Sequence, residues 1–257
     1  MLKATQSYYY DFKFGNKYLS DFNAIIMNDN GWKIKNNVSI NKVTEKINNK
    51  DGELFLGSDY SPRTITIPVH IHSDIDLDEF YSWLLNGEQY FEFRNSGRKI
   101  KAIFDNQIDI DAYLVNGELK AELFLDFIAY DPFWRNVNEN IITPSTTLNT
   151  ITNIKTSGNV ECYPIIKVTP NGTQSKITFK INDDIITLSN VEREITINCE
   201  SEEVTEVQLG EEINVFGKFY STDYYEFPSL KPFVDNKFQI TSGNASSVKI
   251  ITNDRWI

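Results

Sequence analysis

Two cysteines, two histidines and the lack of any long apolar run set the first limits on this 257-residue chain. Cys162 and Cys199 are too few for a disulfide framework or a metal knuckle. Their neighbours alternate in apolar character, Cys162 with Val160, Pro164 and Ile166, and Cys199 with Ile195 and Ile197. That parity sets both on apolar strand faces, where a free thiol behaves as a small hydrophobe. His70 and His72 stand at i, i+2 and share a strand face, but spacing fixes no third ligand and a catalytic zinc normally takes three. An ordinary strand face explains the pair, and no metal site is expected. No apolar stretch approaches the roughly 18 residues of a membrane span, so no membrane insertion is expected. Residues 1–7 show neither an apolar core nor a small-residue cleavage site, so nothing marks a secretory signal. A protein of this kind acting outside a cell would leave by lysis or as part of a particle.

Basic clusters are also scarce. The formal net charge is −11, and the longest basic run is Arg98-Lys99-Ile100-Lys101. Binding to nucleic acid through phosphates needs clustered Lys and Arg, so no sequence-specific nucleic-acid partner is expected. The acidity serves solubility, and would also suit a channel through which DNA passes without adhering.

The motifs of catalysis are missing as well. There is no Gly-x-Ser-x-Gly elbow, no phosphate-cradling glycine loop and no cysteine with a recognisable histidine partner. Asp74-x-Asp76-x-Asp78 opens like a calcium loop, but Glu79 and Leu85 stand where glycine and the twelfth-position glutamate belong. Helix capping explains the same carboxylates. Asp109 and Asp111 share a strand face, which does not set them across a sugar as glycoside hydrolysis requires. The expectation is a non-enzyme without cofactors.

What the chain does have is β-forming residues. Phe, Tyr, Ile, Val and Thr recur throughout and fit a pleated, half-buried surface. Ile65, Ile67, Val69 and Ile71 alternate with Thr64, Thr66, His70 and His72, the period of a half-buried strand. Further strands are expected at 90–93, 100–104, 108–114 and 121–130, the last after the turn Asn116-Gly117. One helix is expected over about 76–86. Leu77, Phe80, Tyr81 and Leu84 would form its apolar stripe, acidic residues its start, and Asn86-Gly87 a left-handed stop. From 136 to 158 the chain turns rich in Asn, Thr and Ser, with Pro144 and Gly158 as breakers. Beyond it, short strands are expected at 164–168, 176–181, 184–188, 194–199, 206–209, 237–240 and 247–251, the signature of a sandwich. The organisation read from this pattern is a domain over 1–135, a linker or edge segment over 136–158, and a second domain over 159–257.

Four stretches, in this order, resemble one known family. They are Tyr60-Ser61-Pro62-Arg63-Thr64-Ile65-Thr66-Ile67; Trp83-Leu84 at the helix end; Phe124-Leu125-Asp126-Phe127-Ile128-Ala129-Tyr130-Asp131-Pro132-Phe133-Trp134; and Ser157-Gly158-Asn159-Val160-Glu161-Cys162-Tyr163-Pro164. Together they are similar to the siphophage distal tail proteins, with Thr196-Ile197-Asn198-Cys199 and Phe227-Pro228-Ser229-Leu230 following in the expected places. One departure is Lys231-Pro232-Phe233-Val234-Asp235-Asn236, where many relatives have a tighter Pro-Gly turn.

The resemblance implies a mainly β fold: an N-terminal β-sandwich-like domain with one helix, and a C-terminal galectin-like β-sandwich. It implies a homo-hexameric ring, a structural baseplate hub that joins the tail tube to the tip and host-adsorption apparatus. The partners implied are the tail tube protein, the tape-measure protein and a tail-associated receptor-binding or lysin protein. The place implied is the virion tail tip, after synthesis in the bacterial host cytoplasm, from an infectious phage or a prophage. It does not identify interface residues; Tyr60 and Arg63 in the first domain, and Tyr220, Tyr224, Tyr225 and Phe227 in the second, are the candidates. The aromatic 219–227 segment also supports a rival reading, a carbohydrate-binding adhesion protein, because aromatic faces stack on sugars.

Overall fold

The computed structural model describes residues 11–27, 34–48, 50–71, 76–106, 111–115, 118–222 and 226–257, and for 111–120 the backbone alone. The chain divides into two compact units, Met1–Val137 with Ile257, and Asn138–Trp256. Both are mainly β.

In the first unit a continuous antiparallel path runs Lys17–Tyr18, Phe12–Phe14, Gln89–Phe93, Arg98–Phe104, Glu118–Ala129, Arg63–Ile71 and Ala24–Ile26. Its longest ladder joins Ala129↔Arg63 through Ala121↔Ile71. Alternation decides what this ladder buries. Ile65, Ile67, Val69 and Ile71 turn inward with Leu123, Leu125 and Phe127, while Thr64 turns out. Pro68 cannot donate to a ladder, which normally confines proline to edges. Here the partner on one side of its strand changes from Ala24–Ile26 to Lys35–Asn37, and Pro68 lies between the two pairings. Its carbonyl still accepts from the Met27 amide at 2.9 Å.

The helix spans Leu77–Leu84. Asp76 caps it, its side chain accepting from the Glu79 amide at 3.1 Å. Gly87 is left-handed at φ 67, two residues beyond the cap Leu85. The buried stripe is Phe80, Trp83 and Leu84, whereas Leu77, expected inside, is exposed in the first turn. Trp83 takes its place because its indole N–H reaches the Phe14 carbonyl at 2.8 Å while its ring packs between Phe12 and Phe22. Burying a tryptophan needs such a partner for its one donor.

Two strands stand apart from this core. Ile40–Glu45 and Leu54–Tyr60 pair with each other in a separate two-stranded sheet.

The second unit contains two sheets. One orders Ile141–Ile142, Ala245–Ile251, Ile165–Pro170, Ile195–Asn198, Glu203–Gln208 and Glu211–Asn214. The other orders Thr152–Ile154, Asn236–Ser242, Gln174–Ile181, Asp184–Val191 and Phe219–Ser221. Residues of both enter one apolar cluster, among them Ile166, Ile197 and Val248 from the first and Phe179, Leu188 and Phe238 from the second. Two sheets sharing one core is a β-sandwich. Cys162 and Cys199 are buried in that cluster and form no disulfide. The 136–158 stretch, read as a linker or edge segment, adds edge strands Ile141–Ile142 and Thr152–Ile154 to the sandwich. Two strands that the sequence pattern missed, Glu211–Asn214 and Phe219–Ser221, form the opposite edges. Gly158 passes so close to Arg255 that an added Cβ would stand 2.4 Å from its carbonyl oxygen; glycine is required there for contact, not for a turn.

Candidate functional site

The hairpin of Ile40–Glu45 and Leu54–Tyr60 carries a group of exposed apolar side chains. Ile40, Val43, Leu54, Leu56 and Phe55 all reach solvent, Phe55 at 59% exposure. An isolated two-stranded hairpin is at best marginally stable in water, and exposed apolar patches rimmed by polar groups mark interaction sites. A register shift between Val43 and Thr44 leaves Phe55 opposite Thr44, with Ile40 opposite Tyr60 and Lys42 opposite Ser58. Opposed residues share a face, so Ile40, Lys42, Phe55 and Tyr60 lie on one side of the arm.

The base of this arm is tied down. Ser39 Oγ and Ser61 Oγ are 2.7 Å apart, and the Ser61 amide donates to the Ser39 carbonyl at 2.9 Å. Tyr60, partly exposed, packs edge-on against Phe133 with ring centroids 5.4 Å apart. Arg63 is not on the surface: at 3% exposure, its Nε donates to the Pro132 carbonyl and its Nη1 to Asn36 Oδ1, each at 2.7 Å. Its Nη2 is buried without a hydrogen-bond partner among the described residues. Burial lowers the pKa of this guanidinium, because the charged form is desolvated. Arg63 therefore holds the chain's own 131–134 segment against the start of the Arg63–Ile71 strand.

The second-unit candidates separate. Tyr220 is 48% exposed on the edge strand Phe219–Ser221, which pairs with Asp184–Val191. Phe227 is half-buried and stacks on fully buried Phe219, the centroids 4.7 Å apart and the planes 8° from parallel. Tyr224 and Tyr225 lie outside the described residues. The departing turn is held by fully buried Asn236, whose Oδ1 accepts from the Lys231 amide at 2.9 Å while its Nδ2 donates to the Lys231 carbonyl at 3.0 Å.

His70 Nδ1 is 3.7 Å from Glu122 Oε1, while His72, Asp74 and Asp109 lie outside the described residues, as does the side chain of Asp111. Among the described residues no group of three His, Cys, Asp or Glu side chains is placed to hold a metal ion. No helix among them is long and apolar enough to cross a membrane. Among the described residues, the buried carboxylate with a shifted pKa is Glu206, 2% exposed, which sequence reading passed over as a strand residue. Lys218 Nζ donates to it at 2.8 Å, Gln208 adds a second hydrogen bond, and Arg193 stands 3.8 Å away. The Lys218 bond, chiefly, holds its pKa below the usual carboxylate value. Only its inward-facing parity on Glu203–Gln208 could have singled it out.

Comparison with known proteins bears on these features. Residues 21–129 match the family model described as the phage tail protein RIFT-related domain, a span that includes the arm. No curated protein matches the chain. Among solved structures, the chain is similar to the SPP1 Dit (gp 19.1) protein, described as a paradigm of the hub adsorption apparatus in Gram-positive infecting phages. The TM-score is 0.75 at 14% identity, over 96% of this chain and 99% of that one. It is also similar to a chain of the phage P2 baseplate in its activated conformation with Ca, at TM-score 0.53 and 8% identity, over 93% and 96% of the two chains. At these identities the likeness is one of fold, and it spans both units. The resemblance to siphophage distal tail proteins is thus met in the family model and again in the fold.

Proposed function

We propose that this chain is a structural subunit of a siphophage tail-tip hub, in which six copies close a ring that joins the tail tube to the host-adsorption apparatus. The observation that carries the reading is the coincidence of a tail-domain match over residues 21–129 with a fold likeness to a tail hub protein across nearly the whole chain. Residues 40–60 add a physical reason for assembly. They expose an apolar hairpin on the matched domain, and such a surface calls for a partner.

In this reading the first unit builds the ring and the second unit offers docking faces. Tail tube, tape-measure and tail-associated receptor-binding or lysin proteins are the partners, and the tail tip of the virion is the place of action. Synthesis takes place in the host cytoplasm, before assembly. The role is mechanical and calls for no catalytic residue. Tyr60 at the arm's base and Tyr220 on the sandwich edge are the exposed members of the proposed interface set.

Light scattering after size exclusion, followed by electron microscopy, tests the reading. A six-fold ring with a central channel, single or doubled, is the expected result. Open filaments, or a closed ring of another number, would overturn the six-copy hub.

A further inference from the structure

We propose that the hairpin arm of one copy packs on the outer sheet face of a second copy, over Phe124 and Ile25. The proposal rests on the ring reading and names the contact that joins its neighbours.

The receiving face follows from strand parity. Along Glu118–Ala129, the residues Leu123, Leu125 and Phe127 point into the core, so Glu122, Phe124 and Asp126 point out. Phe124 is 44% exposed there, and Ile25, on the strand beyond Arg63–Ile71, is 43% exposed on the same side. The face is an apolar strip with a carboxylate on either side of its aromatic ring. The Glu122 carboxylate also faces His70, and Asp126 Oδ2 also accepts from Asn106 Nδ2 at 3.0 Å.

The arm carries the opposite pattern. Its Ile40 and Phe55 share a face with Lys42 between them, and all three are exposed. A cation between two apolar groups meets an aromatic between two carboxylates, so the two faces match in charge as well as in polarity. Strands of this length reach about 20 Å at roughly 3.3 Å per residue, far enough to cross a neighbour's sheet. Every residue of Ile40–Glu45 is exposed, and the arm's ring contact is at its base, between Tyr60 and Phe133.

The two surfaces are different patches of one unit. A contact between them is therefore heterologous, and repetition of such a contact around an axis closes a ring. An arm pairing with an arm would instead stop at a dimer.

The test uses the full chain and a short bismaleimide cross-linker. Both native cysteines are buried, so engineered thiols report alone. The double variant Lys42→Cys with Asp126→Cys is expected to give a ladder of covalent multimers. The two single variants are expected to give dimers when mixed and no cross-link when separate. Phe55→Ser is expected to raise the concentration needed for assembly by roughly tenfold or more, with an unchanged melting temperature because the residue is already exposed. Assembly of the double cysteine variant without cross-links between chains, and assembly undiminished in Phe55→Ser, would overturn the arm contact and leave the ring reading standing. A wild type that stays monomeric at every concentration would overturn both.

Discussion

Arg63 Nε donates to the carbonyl oxygen of Pro132 at 2.7 Å, across 69 positions of sequence. The bond joins two of the stretches that carry the family resemblance, one at the start of a central strand and one at the end of the first unit. Tyr60 and Phe133, each three positions or fewer from these partners, make the second contact of the same join. In this chain the two motifs hold one another.

Arg63→Ala is expected to destabilise the first unit by about 2–4 kcal/mol, since it strands two acceptors and removes the packed stem of the side chain. Arg63→Lys is not expected to restore it, because one ammonium lacks the planar fork that spans Pro132 and Asn36. Hydrogen exchange of the Arg63–Ile71 amides reads the effect locally. Exchange no faster than in the wild type would show that the anchor is dispensable.

Glu206 is expected to make the second unit acid-sensitive. Its pKa is lower folded than the ordinary value of 4.5, so between the two values the unfolded chain binds more protons than the native one. Stability from this group is fully present above about pH 4.5 and is lost as pH falls through the lower, folded value. Glu206→Gln is expected to flatten that part of the curve. It is also expected to cost about 1–3 kcal/mol at neutral pH, by leaving partly exposed Lys218 without its charge partner. Urea midpoints measured from pH 3 to pH 7 check both; equal slopes in the two proteins would remove Glu206 as the cause.

Gly158→Ala is expected to cost about 1–3 kcal/mol or more, as the new methyl meets the Arg255 backbone at 2.4 Å. Gly217→Ala, whose added Cβ would meet nothing within 4 Å, is the control and is expected to change stability by less than about 0.5 kcal/mol. A thermal-melt comparison of the two variants decides it.

Cys162 and Cys199 are expected to resist alkylation in the folded protein and to react together on unfolding. Both are buried, and burial pushes the Cys199 thiol well above its ordinary pKa, removing the reactive thiolate. Labelling at neutral pH, read by mass spectrometry with and without urea, tests this; rapid labelling of either in the native state would contradict the burial.

The parts of the fold that repeat a simple period were legible in sequence. Ile65 to Ile71 alternate as a buried strand must, and Asp76 caps the helix it was read to cap. Trp83 was legible only as the helix end, because its burial depends on the Phe14 carbonyl, distant in sequence. The arm was hardest to read. Lys42, Val43 and Thr44 on one strand face Ser58, Gly57 and Phe55 on the other through a register shift, and such a shift breaks the alternation by which strands are recognised. Arg63 was an interface candidate whose burial was not legible for a similar reason: charge predicts exposure, and only the distant Pro132 and Asn36 make its burial tolerable. Glu206 was hidden in the same way, with Lys218 and Arg193 supplied from elsewhere in the chain.

The join at Ser39 and Ser61 has a consequence for evolution. Two hydroxyls 2.7 Å apart bring the ends of the intervening residues to one point, so that stretch can be exchanged as a cassette without moving the sheet it leaves. Under the proposed arm contact, a transplanted cassette would carry with it the choice of which copies co-assemble. Two related tails in one cell could then keep their parts from mixing by altering some twenty residues, while the rest of the domain drifted on its own account.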